Sequence, residues 1–263
     1  MQIAVMQAQA AVLDIDANLA AIDAAAHRAV AQGAELLLTP ELFVVGYAPY
    51  QLRDELEPAI LPETRARLAE IAVSRGIALV YSLPEISPSG WKITATFIDE
   101  TGARLGHYEK VHLFGEEEKD VFVPGDQPAT IVDFRGLRLG MVICFDVEFP
   151  ETVRAAALRG AQGLLVPTAM GEGYEVVCTK LVPTRAMESQ LYIAYANHCG
   201  SEAGFRLAGT SVIAGPDGTV LAQGATSAEL LFAEFTPQSV TSAREEIPYL
   251  AERRPELYER WDG

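Results

Sequence analysis

Short apolar runs alternate with alanine-rich segments along this chain, and that alternation directs it towards sheets covered by helices. The strand-like runs are IAVMQ (3–7), ELLLT (35–39), IALVYSLPE (77–85), TATFID (94–99), RLGHYEK (104–110), TIVDF (130–134), LRLGMVIC (137–144), GLLVPTA (163–169), YIAYANH (192–198), GTSVIAG (209–215) and TVLAQ (219–223). Between them, DANLAAIDAAAHRAVAQG reads as a helix with Asp16 as N-cap and Gly33 as its stop. PETRARLAEIAVSRG, from Pro62 to Gly76, has the same design, and ETVRAAALRG and TKLVPTRAMESQ are shorter versions. Asp217-Gly218 and Thr101-Gly102 punctuate hairpins and add antiparallel pairs to an α/β frame.

The chain also carries a faint internal repeat. Gly33-Ala34-Glu35-Leu36-Leu37-Leu38-Thr39-Pro40 is similar to Gly160-Ala161-Gln162-Gly163-Leu164-Leu165-Val166-Pro167. Each follows an alanine-rich helix, and each helix follows a strand. Two such halves could pack sheet on sheet about a pseudo-dyad with helices outside; chance similarity in an alanine- and leucine-rich chain is the alternative. No low-complexity linker interrupts the sequence, so a single domain over 1–263 is expected. Its last stretch, 236–263, alternates charges with aromatic residues and reads as a C-terminal arm lying on the domain or on a second subunit.

Composition excludes several classes. The chain has 263 residues, 49% of them hydrophobic, enough for a substantial core. Its formal charge of −16 repels phosphate backbones and anionic membranes, so neither nucleic acid nor a membrane is an expected partner. Nowhere do 18 uncharged apolar residues run together. The opening MQIAVMQAQAAVLDID lacks a basic segment and reads as a first strand rather than a signal peptide. Cys144, Cys178 and Cys199 form no disulfide framework, which fits a reducing cytoplasm. His198-Cys199 makes no metal site, because strand neighbours point to opposite faces.

Three strand ends carry reactive groups. In LLLTPELF, Glu41 sits among apolar neighbours; it is either a solvated loop acid or a carboxylate facing a cavity, where burial raises its pKa and an ammonium lowers it. In YEKVHLF, Lys110 closes a strand, and His112 beside it reads as structural. Glu116-Glu117-Glu118 would ordinarily be a solvated acidic turn. GMVICFDVEFPET (140–152) ends an apolar run at Cys144, which is either a packed core residue or a nucleophile. A thiol so close to a helix start would have its pKa lowered by the dipole. Glutamate as base and lysine as electrostatic partner suffice to activate it without histidine.

Together these stretches resemble the nitrilase superfamily of carbon–nitrogen hydrolases. The matching residues are Glu41 in TPELFVVGY, Lys110 in YEKVHLF and Cys144 in VICFDVEFPE, with FVPGD (122–126) and RAMESQLY (185–192) as further matches; the resemblance runs from about residue 3 to 235. It implies a four-layer α-β-β-α sandwich, usually dimerised through the cysteine-bearing helix and its neighbour, so a homodimer or a higher homo-oligomer is expected. It implies a Glu41-Lys110-Cys144 triad forming a covalent thioester, with Glu118 as a second glutamate and Glu117 as the weaker candidate. Phe145-Asp146 after the cysteine is similar to the amidase and carbamoylase branches, where nitrilases proper have Trp-Glu. Relatives acting on carboxylate-bearing substrates have an arginine where this chain has Glu148. The implied substrate is therefore a small primary amide, neutral or amine-bearing, unless Glu148 points away, for instance to Arg154. Tyr47, Thr168, Met170 and Tyr174 are expected to line the pocket or to be ordinary packing, and Cys178 and Cys199 to be structural. No metal or organic cofactor is required. Rival readings are a carbamoylase, a nitrilase, a catalytically silent interaction protein, and a Cys-His protease using His198.

Overall fold

The residues that pair strand to strand in parallel are all buried in this protein, as expected of sheets covered on both faces. A computed structural model describes residues 1–261. The first half contains β1 (Gln2–Gln7), α1 (Ile15–Ala31), β2 (Leu36–Leu38), α2 (Pro49–Glu55), α3 (Leu61–Arg75), β3 (Ala78–Ser87), β4 (Gly90–Ile98), β5 (Arg104–Glu109) and α4 (Gly115–Val121). The second contains β6 (Thr130–Phe134), β7 (Leu137–Met141), α5 (Pro150–Leu158), β8 (Gly163–Pro167), α6 (Val182–Ser189), β9 (Tyr192–Ala196), β10 (Cys199–Glu202), β11 (Phe205–Ala208), β12 (Val212–Ala214) and β13 (Val220–Gln223). The chain then returns to the first sheet as β14 (Glu229–Glu234), followed by α7 (Pro237–Glu246) and α8 (Pro255–Trp261).

Two six-stranded sheets result, ordered β14-β1-β2-β3-β4-β5 and β13-β12-β9-β8-β7-β6. Read from the β14 and β6 edges, they have the same pattern: an antiparallel edge strand, three parallel strands, then two antiparallel strands. The repeat seen in the sequence is thus a structural one, β1-α1-β2 matching β7-α5-β8. Strands β1 and β2 face β9 and β8 across the interface, while α1 and α3 pack together on one outer side and α5 and α6 on the other. This is the four-layer α-β-β-α sandwich.

Local chemistry explains the boundaries, with corrections. The N-cap of α1 is Asp14, not Asp16: Asp14 Oδ1 accepts the Ala17 N–H at 3.0 Å. Ile15 is buried, so the helix begins earlier than its polar pattern implies, and Asp16 pairs with Arg67 instead. Gly76 ends α3 in the left-handed conformation, as its position predicts. The acidic stretch at 116–118 is the first turn of α4, where carboxylates meet the positive end of the helix dipole. The β10–β11 hairpin and β14 carry no expectation from sequence. Within 236–263, α7 buries Val240 and receives the Gln190 amide on Ala243 O and Ile247 O, whereas α8 buries nothing. Residues 262–263 of that stretch lie outside the described residues.

Candidate active site

The site lies beyond the carboxyl ends of the parallel strands, where α/β sheets place their reactive groups. Leu38 of β2 pairs with Val5 and Val80, and the chain then turns through Thr39-Pro40 into Glu41. The Glu41 N–H donates to Thr168 O at 3.2 Å, so the end of β8 in the other sheet helps fix it. Gly46 closes this turn at φ +81°, and a Cβ there would stand 2.7 Å from the Val12 Cα. The turn is therefore sewn tightly to the chain that follows β1.

Lys110 follows β5 immediately, its N–H donating to Ile93 O at 2.9 Å. Gly125 of FVPGD donates to Lys110 O at 2.7 Å; a Cβ at Gly125 would sit 2.8 Å from Glu109 O, so only glycine permits that approach. The Lys110 ammonium reaches Glu41 Oε1 at 2.7 Å and Glu118 Oε1 and Oε2 at 2.7 and 2.8 Å. All three side chains are buried. Glu118 is fixed further by the Tyr47 hydroxyl at 2.7 Å and the Phe114 N–H at 2.8 Å. Glu116 and Glu117 are exposed, so Glu118, not Glu117, joins the cluster.

Cys144 opens a single 3-10 turn, Cys144–Glu148, after β7. Its φ is +46°, a conformation disfavoured for a residue with a Cβ and held by its surroundings. Asp146 supplies the hold. Its Oδ2 accepts the Ile143 N–H at 3.1 Å and the Tyr108 hydroxyl at 2.8 Å, and its Oδ1 accepts the His112 N–H and Nδ1, both at 2.8 Å. His112 also stacks on Phe149 with centroids 3.9 Å apart. His112 is structural, as expected; Asp146 went unrecognised although it stands two residues from the cysteine.

Electrostatics set the resting protonation. Burial raises the Glu41 carboxyl to about 7, against the Lys110 ammonium, which lowers it, and Glu118, which raises it. Burial would depress Lys110, but the Glu118 and Glu41 carboxylates outweigh it and keep the ammonium charged. Burial and the Glu41 charge push the Cys144 thiol well above its ordinary value, with Lys110 and the Ala169 N–H opposing. The expected lowering by a helix dipole is therefore overturned: in this dry site desolvation dominates, and sulfur rests as a thiol. Glu41 Oε2 has no hydrogen-bond partner, while the Cys144 thiol acts on the same carboxyl. That oxygen is free to take a proton.

The remaining expected residues divide. Phe145 packs edge-on against Phe114 and Phe149, with centroids 5.3 and 5.0 Å apart. Tyr174 meets Phe114 at 5.8 Å but is half exposed, a rim position. Thr168 is buried beside the site, accepting the Glu41 N–H on its carbonyl. Met170 is buried, and its backbone is clamped by the Asn197 amide. Glu148 is not paired with Arg154, which joins Glu188; Arg185 instead donates to the Glu148 carbonyl at 2.7 Å. Burial raises the Glu148 carboxyl, with Arg185 and Lys110 opposing, so it lies within reach of the site's field. Tyr195 escaped sequence reading: its buried hydroxyl lies beside Thr168, in the fields of Cys144 and Cys178.

Both ring nitrogens of His198 are engaged, Nδ1 with Glu202 Oε1 at 2.7 Å and Nε2 with Glu41 O at 2.6 Å. It cannot serve a Cys-His protease, which needs a ring nitrogen turned to sulfur. Cys178 and Cys199 are buried and free, and burial pushes the Cys178 thiol up to about 12, so neither is a thiolate at neutral pH.

A two-sheet sandwich with a buried acid–ammonium–thiol cluster at the strand ends defines the class, and comparison with known proteins agrees. The carbon–nitrogen hydrolase family model matches residues 2–245, and the chain belongs to that family. It is 46% identical to the NitN amidase of Nesterenkonia sp., with 99% of each chain covered and a TM-score of 0.92. Variants of that amidase have been solved with butyramide bound and with acrylamide added to the active-site cysteine. A Pseudomonas protegens hydrolase from the pqqF 5′ region is 38% identical, covering 98% of this chain and 91% of that protein. N-carbamoylputrescine amidase of Arabidopsis thaliana is 30% identical, covering 93% and 90%. The chain is a carbon–nitrogen hydrolase of the amidase kind.

Proposed function

We propose that this enzyme hydrolyses small primary amides, neutral or amine-bearing, to a carboxylic acid and ammonia through a thioester on Cys144. The observation that carries this reading is the partnerless Oε2 of Glu41, on a carboxyl raised to about 7 that also feels the Cys144 thiol. Glu41 takes the thiol proton as sulfur attacks the amide carbon. Lys110 and the N–H of Phe145 stabilise the oxyanion. Glu41 then returns its proton to the departing ammonia and activates water to cleave the thioester. Glu118 holds Lys110 and, with Tyr47, orients the amide. Phe145 and Met170 bound the acyl chain, with Thr168 behind it and Tyr174 at the rim.

Glu148 gives the selectivity. No arginine stands at that position to clamp a substrate carboxylate, and a negative charge there repels one. The butyramide and acrylamide complexes of the Nesterenkonia amidase support a short uncharged acyl group. The N-carbamoylputrescine amidases among the relatives support a ureido substrate as the second reading. Assaying ammonia release from butyramide, glycinamide, succinamate, N-carbamoylputrescine and butyronitrile separates these. Highest kcat/KM on butyramide or glycinamide supports the amidase; highest on succinamate or the ureido compound overturns it.

The reading extends to a single hydrolase domain with a C-terminal arm, working in the cytoplasm as a homodimer. Three free cysteines and the partly exposed Leu158 and Met187 on α5 and α6 support it. Sedimentation at micromolar concentration should give twice the 28.4 kDa chain mass.

A further inference from the structure

One buried ion pair outside the reacting groups touches both ends of the turn that carries Glu41 and Tyr47. Glu202, at the end of β10, is buried with His198, which follows β9. Glu202 Oε1 accepts His198 Nδ1 at 2.7 Å and the Ala10 N–H at 2.8 Å, and its Oε2 accepts the Tyr47 N–H at 2.8 Å. The other face of the ring meets Glu41 O through Nε2 at 2.6 Å. A carbonyl and an ionised carboxylate only accept hydrogen bonds, so both ring nitrogens must donate. Neutral imidazole has one N–H and would leave two acceptors facing each other in a buried site.

We propose that His198, held as an imidazolium by Glu202, is a positioning residue that fixes the main chain at Glu41 and, through Glu202, at Tyr47. The inference rests on the assignment of Glu41 as the proton acceptor. Glu41 supplies that carboxylate, and Tyr47 supplies the hydroxyl that holds Glu118. One ion pair thereby sets the spacing of two carboxylates around Lys110. The charged groups facing the ring are Glu202 from β10 and Glu41 from the turn after β2, with the Phe43 ring 5.6 Å away. Burial opposes the imidazolium, yet these carboxylates and the Glu41 carbonyl raise His198 above its ordinary value. Glu202 is held below the usual carboxylate range: burial works against this, but His198 and the Tyr47 and Ala10 N–H groups prevail.

Nitrogen NMR of the wild-type histidine rings tests the charge directly, with His198→Gln and the histidines at 27, 107 and 112 aiding assignment. His198 should keep both ring nitrogens protonated at pH 8; a single-tautomer neutral ring there overturns the proposal. Because Gln donates from one nitrogen only and presents a carbonyl where the second ring N–H stood, His198→Gln should lower kcat by about 10²-fold with KM changed less than about threefold. It should also slow iodoacetamide alkylation of Cys144. A variant with wild-type kcat and alkylation rate overturns the positioning role. If His198→Gln does not fold, the wild-type spectrum and a Glu202→Gln variant decide, since the latter should discharge the ring. Should the wild-type enzyme release ammonia from no amide or ureido compound, the amidase reading falls, while ring protonation and alkylation rates still judge His198.

Discussion

The ammonium of Lys110 stands 2.7 Å from Glu41 Oε1 and 2.7 Å from Glu118 Oε1, with no water-accessible surface on any of the three side chains beyond a trace. Two carboxylates in so dry a place repel each other and are tolerable only because one cation is shared between them. Their arrangement is a device for keeping one acid, Glu41, near its titration point while the other stays bound.

Replacing the cation exposes that repulsion. Lys110→Met should cost about 3–5 kcal/mol of stability at pH 8, the range for breaking a buried pair. An acid whose folded pKa is raised binds more protons folded than unfolded, so stability falls as pH rises. Glu41 already sits at about 7 with the lysine present, and without it the carboxyl climbs further. Urea denaturation should therefore find the variant's deficit smallest near pH 4.5 and growing through pH 7 and above. A pH-independent deficit would contradict the shared-cation account.

Activity should show the same carboxyl. Glu41 accepts a proton only when ionised, so kcat/KM should fall about tenfold per pH unit below about 7. The midpoint belongs to the coupled Glu41–Cys144–Lys110 cluster rather than to one group. Glu41→Gln should remove that limb together with at least about 10²-fold of the rate. Stopped-flow ammonia assays between pH 5 and 9 measure both.

Asp146 holds Cys144 in its left-handed conformation through four hydrogen bonds. Asp146→Ala strands the Ile143 and His112 N–H groups and the Tyr108 hydroxyl, and should destabilise the protein by about 2–4 kcal/mol. Urea midpoints, compared with those of the shape-conserving Asp146→Asn, check this. The alanine variant should also alkylate more slowly at Cys144.

Glu148 is half-buried without an ion-pair partner on its carboxylate among the described residues. Glu148→Gln should lower kcat/KM for glycinamide relative to butyramide by about five- to tenfold, the effect of about 1 kcal/mol of attraction in a partly screened site. Equal loss on both substrates would remove Glu148 from substrate contact.

How much of this was legible in the sequence follows from the distance over which each contact acts. Glu41 and Cys144 each follow an apolar run, Lys110 closes a strand, and Glu118 stands at a fixed offset from FVPGD, so these were readable. The sheet-on-sheet pairing was foreshadowed because two octapeptides repeat. What escaped depends on partners far along the chain. β14 joins β1 across more than 220 positions, as in Gln2 with Glu234. The His198–Glu41 contact spans 157 positions. The hairpin at Ala203-Gly204 needs positive φ at an alanine, which carries no turn signature. Asp16 and Asp14 are equivalent as caps until the burial of Ile15 decides between them. At Cys144 the helix dipole is outweighed by burial, which is invisible in the local sequence.

The return of β14 to the edge of β1 has a consequence during synthesis. Glu41 and Lys110 are synthesised before the sulfur that they serve, and the open flank of β1 stays without its neighbour until residues 229–234 follow. A nascent first half therefore exposes an unpaired strand, prone to associate with other chains. Truncation before residue 229 should leave an aggregating product rather than a weakly active one, because the last strand to be made seals the first.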